Sequence, residues 1–241
     1  MKLLSVVFPC FNESKNIPCI LDRLDKIINR NDIEIILVDN GSTDETYNVL
    51  CQLIPNYPFA KIEKVDVNKG YGFGIKKGLK SAKGLYVGWT HADMQTDPND
   101  LLRGLEIIES YKRDSKVFVK GKRTGRGFLD NFFTLGMSIF ESTLLFAPLW
   151  DINAQPNIFH RDLLEFNDSS PDDFSFDLFY YFLALKKKYK LIRFKVEFNK
   201  RLYGKSKWNV NWNSRFKFII RTILYSLKLL KKIKLRKEFK F

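Results

Sequence analysis

A chain of 241 residues has room for one sizeable α/β domain and is barely long enough for two small ones. With 45% apolar and 15% aromatic residues it is no disordered basic polypeptide, because disorder goes with low hydrophobicity. The net charge of +14 is unevenly placed: residues 1–182 sum to −4 and residues 183–241 to +18, which fits a near-neutral body with an anion-binding end and argues against a nucleic-acid-coating protein.

Three cysteines, Cys10, Cys19 and Cys51, have neither metal-ligand spacing nor a C-x-x-C pair, and point to a reducing compartment. The apolar run from Met1 to Phe8 stops at Pro9 and reads as a first strand rather than a signal segment. No stretch reaches the roughly 18 uninterrupted apolar residues of a membrane-spanning helix; residues 131–140 and 142–150 come nearest and Glu141 divides them. The expectation is a protein peripheral to the cytoplasmic face of a membrane, with no transmembrane helix.

The first half alternates β-branched runs with helical patterns, as βαβ units of a parallel sheet do. Strands are expected at 2–8, 33–39, 61–66, 84–90 and 116–121, and helices at 16–30, 44–54, 70–82 and 98–112, the last opened by Asp97 and Pro98. From Phe128 to Phe146 a helix follows whose polar residues Asp130, Thr134, Ser138 and Glu141 form one narrow stripe. Its broad apolar remainder must be covered by the domain's own sheet, a partner subunit or a lipid surface. Beyond lie a helix near 174–189, a strand near 191–198, a basic loop from Lys200 to Trp208, and a helix over about 213–233. That last helix gathers Lys217, Arg221, Lys228, Lys231 and Lys232 into one sector among Phe, Ile, Leu and Tyr, the layout of a basic interfacial helix.

Polar clusters stand where the first, second and fourth strands end: residues 9–13 (PCFNE), 39–44 (DNGSTD) and 91–95 (HADMQ). Ligands of open parallel sheets bind outside the carboxyl ends of the strands, so the three together indicate a nucleotide-type site. Asp39 closes a buried strand, where an unpaired carboxylate is costly. Gly70, Gly72 and Gly74 let the backbone approach a ligand closely, or simply make a turn.

In order and spacing, residues 8–13 (FPCFNE), 38–46 (VDNGSTDET), 68–74 (NKGYGFG) and 91–98 (HADMQTDP) resemble family 2 glycosyltransferases of the GT-A fold. The branch most resembled is that of dolichol-phosphate mannose synthases and polyprenyl-phosphate glycosyltransferases. Asp151 with residues 155–161 (QPNIFHR), Phe176 with Asp177, and residues 201–208 continue the likeness, which covers residues 1 to about 210 and leaves 211–241 as a basic amphipathic membrane-associating helix and tail. The implied fold is an α/β, Rossmann-like, mostly parallel sheet flanked by helices.

The resemblance implies an inverting transfer of a sugar from a UDP- or GDP-sugar to a polyprenyl phosphate. It assigns Pro9, Phe11, Asn12, Glu13, Asp39, Asn40, Ser42, Lys69, Gly70, His91 and Gln95 to the donor nucleotide, with Asn40 where the family commonly has an acid. Asp93 and Gln95 are the expected ligands of Mg²⁺ or Mn²⁺, hard oxygen donors for a hard ion, although His91 replaces the first acid of the family's Asp-x-Asp. Asp93, Asp177, Arg201 and Lys207 are the expected catalytic groups, and Arg123, Arg201 and Lys207 the expected acceptor-phosphate contacts, since guanidinium and ammonium groups suit phosphate. Other readings are a glycan-extending transferase with Asp177 as general base, and a non-catalytic sugar-nucleotide-binding protein, suggested by His91 and Asn40. Partners implied are the donor, the lipid phosphate, an anionic membrane surface and a second copy of the chain or a membrane protein, with no nucleic acid.

Overall fold

The computed structural model describes residues 2–204 and 212–234, without the side chains of 212–218 and 232–234. Its elements run β1 (Leu4–Cys10), α1 (Asn16–Ile27), β2 (Ile33–Asn40), α2 (Thr46–Leu53), β3 (Ala60–Val65), α3 (Tyr71–Ser81), β4 (Tyr86–Trp89), α4 (Asp100–Ser110), β5 (Val117–Thr124), α5 (Phe128–Leu145), β6 (Asn157–His160), α6 (Phe176–Lys186), β7 (Lys190–Glu197) and α7 (Trp212–Lys234). The seven strands form one sheet in the order β3-β2-β1-β4-β6-β5-β7. Six strands run parallel, and β6 lies antiparallel between β4 and β5, with Val87 opposite Phe159 and Phe118 opposite Phe159 on its other side.

Both faces of this sheet are covered, which is why β1 and β2 read as continuous apolar runs rather than as alternations. The period-2 geometry of a strand sends successive side chains to opposite faces. Val7, Ile36 and Val38 join α3 and α6 through Ile75, Leu79 and Phe179, whereas Val6, Phe8, Ile35 and Leu37 join α1 and α4 through Ile17, Leu21, Leu101 and Leu105. Gly78 of α3 lies against Val7, where a Cβ would sit 2.5 Å from a valine methyl, so α3 packs directly on the central strands.

The glycines of 70–74 serve this packing. Gly70 has φ +124° and a Cβ there would lie 2.3 Å from Asp172 O, while a Cβ at Gly74 would meet the Asn40 side chain. The close approach they permit is to the chain's own 171–173 segment and to β2.

Helix α5 inverts the usual arrangement of an amphipathic helix. Its narrow polar stripe faces inward: Ser138 is 1% exposed and Glu141 fully buried. Ser138 Oγ accepts from Asp151 N at 3.0 Å, and Glu141 accepts from Ser226 Oγ of α7 at 2.6 Å. Its apolar side is outside, with Phe128 83%, Phe132 62% and Ile139 57% exposed. The domain's own sheet therefore does not cover that face. Helix α7 packs along α5, buries Leu229 and Ser226, and leaves Ile220, Leu224 and Leu227 exposed beside Arg221, Lys228 and Lys231.

Candidate functional site

The carboxyl ends of β1, β2 and β4 open into a cavity of about 850 Å³. Two strand-end loops are tied together at its rim. Asn12, in the left-handed region at φ 58°, donates its N–H to Ser42 Oγ at 3.1 Å and accepts from Thr43 N at 2.8 Å, and Glu13 N donates to Thr46 Oγ1 at 2.8 Å. Asparagine tolerates that backbone better than other side chains.

Of the residues expected at a site, Pro9, Phe11, Asn12, Glu13, Asn40, Gly70, His91, Asp93, Gln95, Arg123, Asp177 and Arg201 all line this one cavity. Three others stand back from it. Asp39 is 2% exposed and its Oδ1 accepts from Ser42 N at 3.1 Å, Ser42 is engaged with Asn12, and the Lys69 ammonium lies 5.0 Å from the Phe73 ring. Lys207 lies outside the described residues.

Two Asp–Arg pairs stand at the cavity. Asp93, 4% exposed, accepts from Gln95 N at 3.1 Å through Oδ1 and pairs with Arg201 at 2.8 Å through Oδ2. Gln95 gives its amide N–H to Asn199 O at 3.0 Å, which turns Oε1 toward Arg201 Nε at 3.3 Å. Facing them, Arg123 is forked onto the buried carboxylate of Asp151, Nε to Oδ1 at 2.8 Å, and Arg126 donates to Thr134 Oγ1 at 2.6 Å. Burial works to raise Asp151, yet the Arg123 guanidinium outweighs it and holds the carboxyl below its usual range.

Burial dominates the other titrations. It pushes Glu13 up to about 7 against the hydrogen bond from Asn16, lowers His91 so that its imidazole is neutral at neutral pH, raises Asp177, and pulls Lys120 down to about 7.

Three buried polar atoms on cavity residues have no hydrogen-bond partner among the described residues: Asn40 Oδ1, Arg126 Nε and Asp177 Oδ2. A buried polar group left unmade costs about 1–3 kcal/mol. One acceptor near β2, one cationic donor near α5 and one carboxylate oxygen at the cavity floor are the complement of a ligand carrying a hydrogen-bonding ring, an anion and hydroxyls.

For a divalent ion the donor set is thin. Among the described residues no three His, Cys, Asp or Glu side chains come together as a metal cage. Asp93 and Gln95 Oε1 offer two hard oxygens on the same loop, with His91 beside them. Such a set suits an ion that is held by one or two protein groups and takes its remaining ligands from phosphate and water.

Residues 5–221 match the family model described as glycosyl transferase family 2. The chain belongs to that family. Among curated relatives it is 29% identical over 177 residues to a dolichyl-phosphate beta-glucosyltransferase of Dictyostelium discoideum, covering 66% of this chain and 54% of that protein. A dolichol-phosphate mannosyltransferase of Pyrococcus furiosus is 27% identical over 129 residues, 54% of this chain and 36% of that one. The chain thus spans about half or less of these two relatives. Among solved structures, glucosyl-3-phosphoglycerate synthase of Mycobacterium tuberculosis, crystallised with Mn²⁺, UDP and glucosyl-3-phosphoglycerate, superposes with a TM-score of 0.68 at 18% identity over 93% of this chain and 80% of that one. At that identity the likeness shows a shared fold, the GT-A fold.

Sequence reasoning did not single out Arg126, Trp89, Lys120 or Asn157. Arg126 had one available signal, its position three residues after Arg123 in a short glycine-bounded stretch. The others depend on β6, a four-residue strand that pairs with β4 on one side and, through Asn157, Ile158 and Phe159, with β5 on the other, all long-range contacts.

Proposed function

We propose that this family 2 chain transfers a sugar from a UDP- or GDP-sugar to a polyprenyl phosphate at the cytoplasmic face of a membrane, with inversion at the anomeric carbon. The observation that carries the acceptor class is where the cavity lies. Its walls include Asp130, Phe133, Thr134, Met137 and Ser138 of α5 and Ile219 and Thr222 of α7, the two helices whose outer faces expose Phe128, Phe132, Ile139 and Leu224. Cationic Arg123 and Arg126 stand between that apolar surface and the loops of the donor side. A lipid phosphate has the same division, an anion on a hydrocarbon chain. The relatives named for dolichyl- and dolichol-phosphate support the same class.

No helix among the described residues is long and apolar enough to cross a membrane. Attachment would then come from the exposed face of α5 and α7, with exposed basic residues such as Lys228 and Lys231 each adding about 1 kcal/mol near an anionic leaflet. The same apolar face could equally seat a second copy or a membrane protein, which vesicle binding separates from a lipid surface.

In the site, Asn40 Oδ1, Phe11 and the 12–13 loop hold the nucleotide. A divalent ion on Asp93 and Gln95, as Mn²⁺ accompanies UDP in the mycobacterial structure, would neutralise charge on the departing diphosphate. Arg201 exchanges its hold on Asp93 for the diphosphate, placing a guanidinium where negative charge develops. Arg126 and Arg123 orient the acceptor phosphate on the opposite side, so that its oxygen attacks from the face away from the leaving nucleotide. A phosphate oxygen is already ionised and needs no general base; Asp177 accepts a sugar hydroxyl and orients the ring.

Incubation with labelled UDP- and GDP-sugars and polyprenyl phosphate in vesicles tests the reading. Transfer to the lipid phosphate is expected, and transfer to free saccharide alone would refute it.

A further inference from the structure

Beneath the cavity floor runs a chain of buried polar side chains that the transfer reading leaves without a task. Lys120 of β5 is fully buried, and lysine almost never is unless its charge is matched. Its ammonium donates to Ala154 O at 2.8 Å and to Asn157 Oδ1 at 2.7 Å. An ammonium has donors only, so it fixes which way Asn157 turns: the carbonyl oxygen toward Lys120, the NH₂ away. That NH₂ donates to Gln155 Oε1 at 2.7 Å and reaches Asp177 Oδ1 at 3.3 Å. Gln155, with its oxygen taken, must in turn present its NH₂ to Asp177 Oδ1 at 3.0 Å and to Tyr71 Oη at 3.1 Å. Trp89 Nε1 adds a third donor to the same oxygen at 2.7 Å.

The result is lopsided. Among the described residues, every side-chain donor that reaches the Asp177 carboxylate converges on Oδ1, while Oδ2 has none although the residue lines the cavity. Without Lys120, the Asn157 amide could flip, the Gln155 amide could follow, and carbonyl oxygens would then face the carboxylate. The other charges that bear on Lys120 are Asp151, Arg123 and Arg193; Asp151 is already paired with Arg123 and lies 3.8 Å from Arg193, so Asp177 is the acid near Lys120 that has no ion pair of its own among the described residues.

We propose that Lys120 is a positioning residue of the transfer site, setting through Asn157 and Gln155 the direction of the hydrogen-bond chain that holds Asp177 with Oδ2 presented to a hydroxyl of the transferred sugar. This rests on the reading of the cavity as a nucleotide-sugar site, but not on the identity of the acceptor. It makes Lys120 a residue that acts on the sugar and not on the nucleotide, and that difference is measurable.

The test is calorimetric binding of UDP-glucose against UDP, and of GDP-mannose against GDP, to the full chain. For whichever pair the wild type binds, Lys120→Met is expected to weaken the nucleotide sugar about tenfold while leaving the bare nucleotide within twofold. Asn157→Leu, which cuts the chain one link on, should do the same, and the double variant should be no worse than either. Lys120→Gln keeps a donor toward Asn157 Oδ1 and should recover most of the loss; it and Asn157→Leu carry the test should Lys120→Met fail to fold. In an Asp177→Asn background, Lys120→Met should have no further effect. Variants that weaken sugar nucleotide and nucleotide equally, or that change only thermal stability, would overturn the proposal. A wild type that binds neither pair would overturn the nucleotide-sugar reading itself.

Discussion

Glu141 offers a quantitative check on how α5 meets α7. The carboxyl is fully buried in the helix interface, Oε2 accepts from Ser226, and Oε1 has no partner among the described residues. Burial pushes its pKa from 4.5 up to about 7, opposed only by the Ser226 hydrogen bond. Below pH 4.5 the group is protonated whether the chain is folded or not and contributes no pH-dependent term. Between 4.5 and 7 the unfolded chain releases the proton while the folded one keeps it, so stability falls as pH rises; above 7 the penalty is constant. A shift of this size corresponds to about 3 kcal/mol. Glu141→Met keeps the volume, removes the charge and forfeits one hydrogen bond worth about 1 kcal/mol, while Ser226 retains Thr222 O as an acceptor at 3.0 Å. The variant should therefore be slightly less stable than wild type at pH 4.5 and more stable by about 2 kcal/mol at pH 8. For a chain of this size the swing is a Tm difference of roughly 6–12 °C. Glu13 also titrates near 7, but it is common to both proteins and cancels in the difference. Thermal unfolding of the pair at half-unit steps from pH 4.5 to 8.5 reads it. Two curves separated by the same offset at every pH would refute a buried, ionising Glu141.

Asp93→Asn removes the one carboxylate of the candidate ion site and should abolish the Mn²⁺-dependent part of nucleotide-sugar affinity, at least tenfold by calorimetry with and without Mn²⁺; an unchanged metal dependence would take Asp93 out of that role. Phe128→Asp with Phe132→Asp should lower binding to anionic vesicles more than tenfold, since each exposed phenyl contributes on the order of 1.5–3 kcal/mol when buried, with nucleotide affinity intact; equal co-sedimentation with vesicles would refute lipid contact at α5. Asp177→Asn should weaken transfer to polyprenyl phosphate without abolishing it, because an ionised acceptor needs no base; complete loss would favour a saccharide hydroxyl as acceptor.

The strands and helices of the first half were legible because both faces of the sheet are covered and the apolar runs are unbroken, so periodicity and strand-end polarity told the same story. The three strand-end clusters at residues 9–13, 39–44 and 91–95 do meet around one cavity for the same reason: parallel strands bring their carboxyl ends to one edge. Three things were out of reach. Strand β6 is four residues long, and its antiparallel insertion between β4 and β5 is decided by partners some 40 and 70 residues away. Asp39, Ser42 and Lys69 belong to the same motifs as Asn40, but only the side-chain geometry shows that Asn40 lines the cavity and that they do not. In α5 the polar stripe and apolar remainder were visible, but not which side faced inward, since an amphipathic pattern fixes the division of a helix and not its surroundings.

Under the proposed membrane attachment, the inverted α5 would also change what concentration means for this protein. A chain with its phenylalanines in a bilayer would search for a lipid acceptor in two dimensions, so that the mole fraction of lipid phosphate in the surface, rather than its bulk molarity, would govern the rate. Adding inert phospholipid at fixed acceptor should slow turnover by surface dilution, and turnover in detergent micelles should fall as acceptors are spread over more micelles.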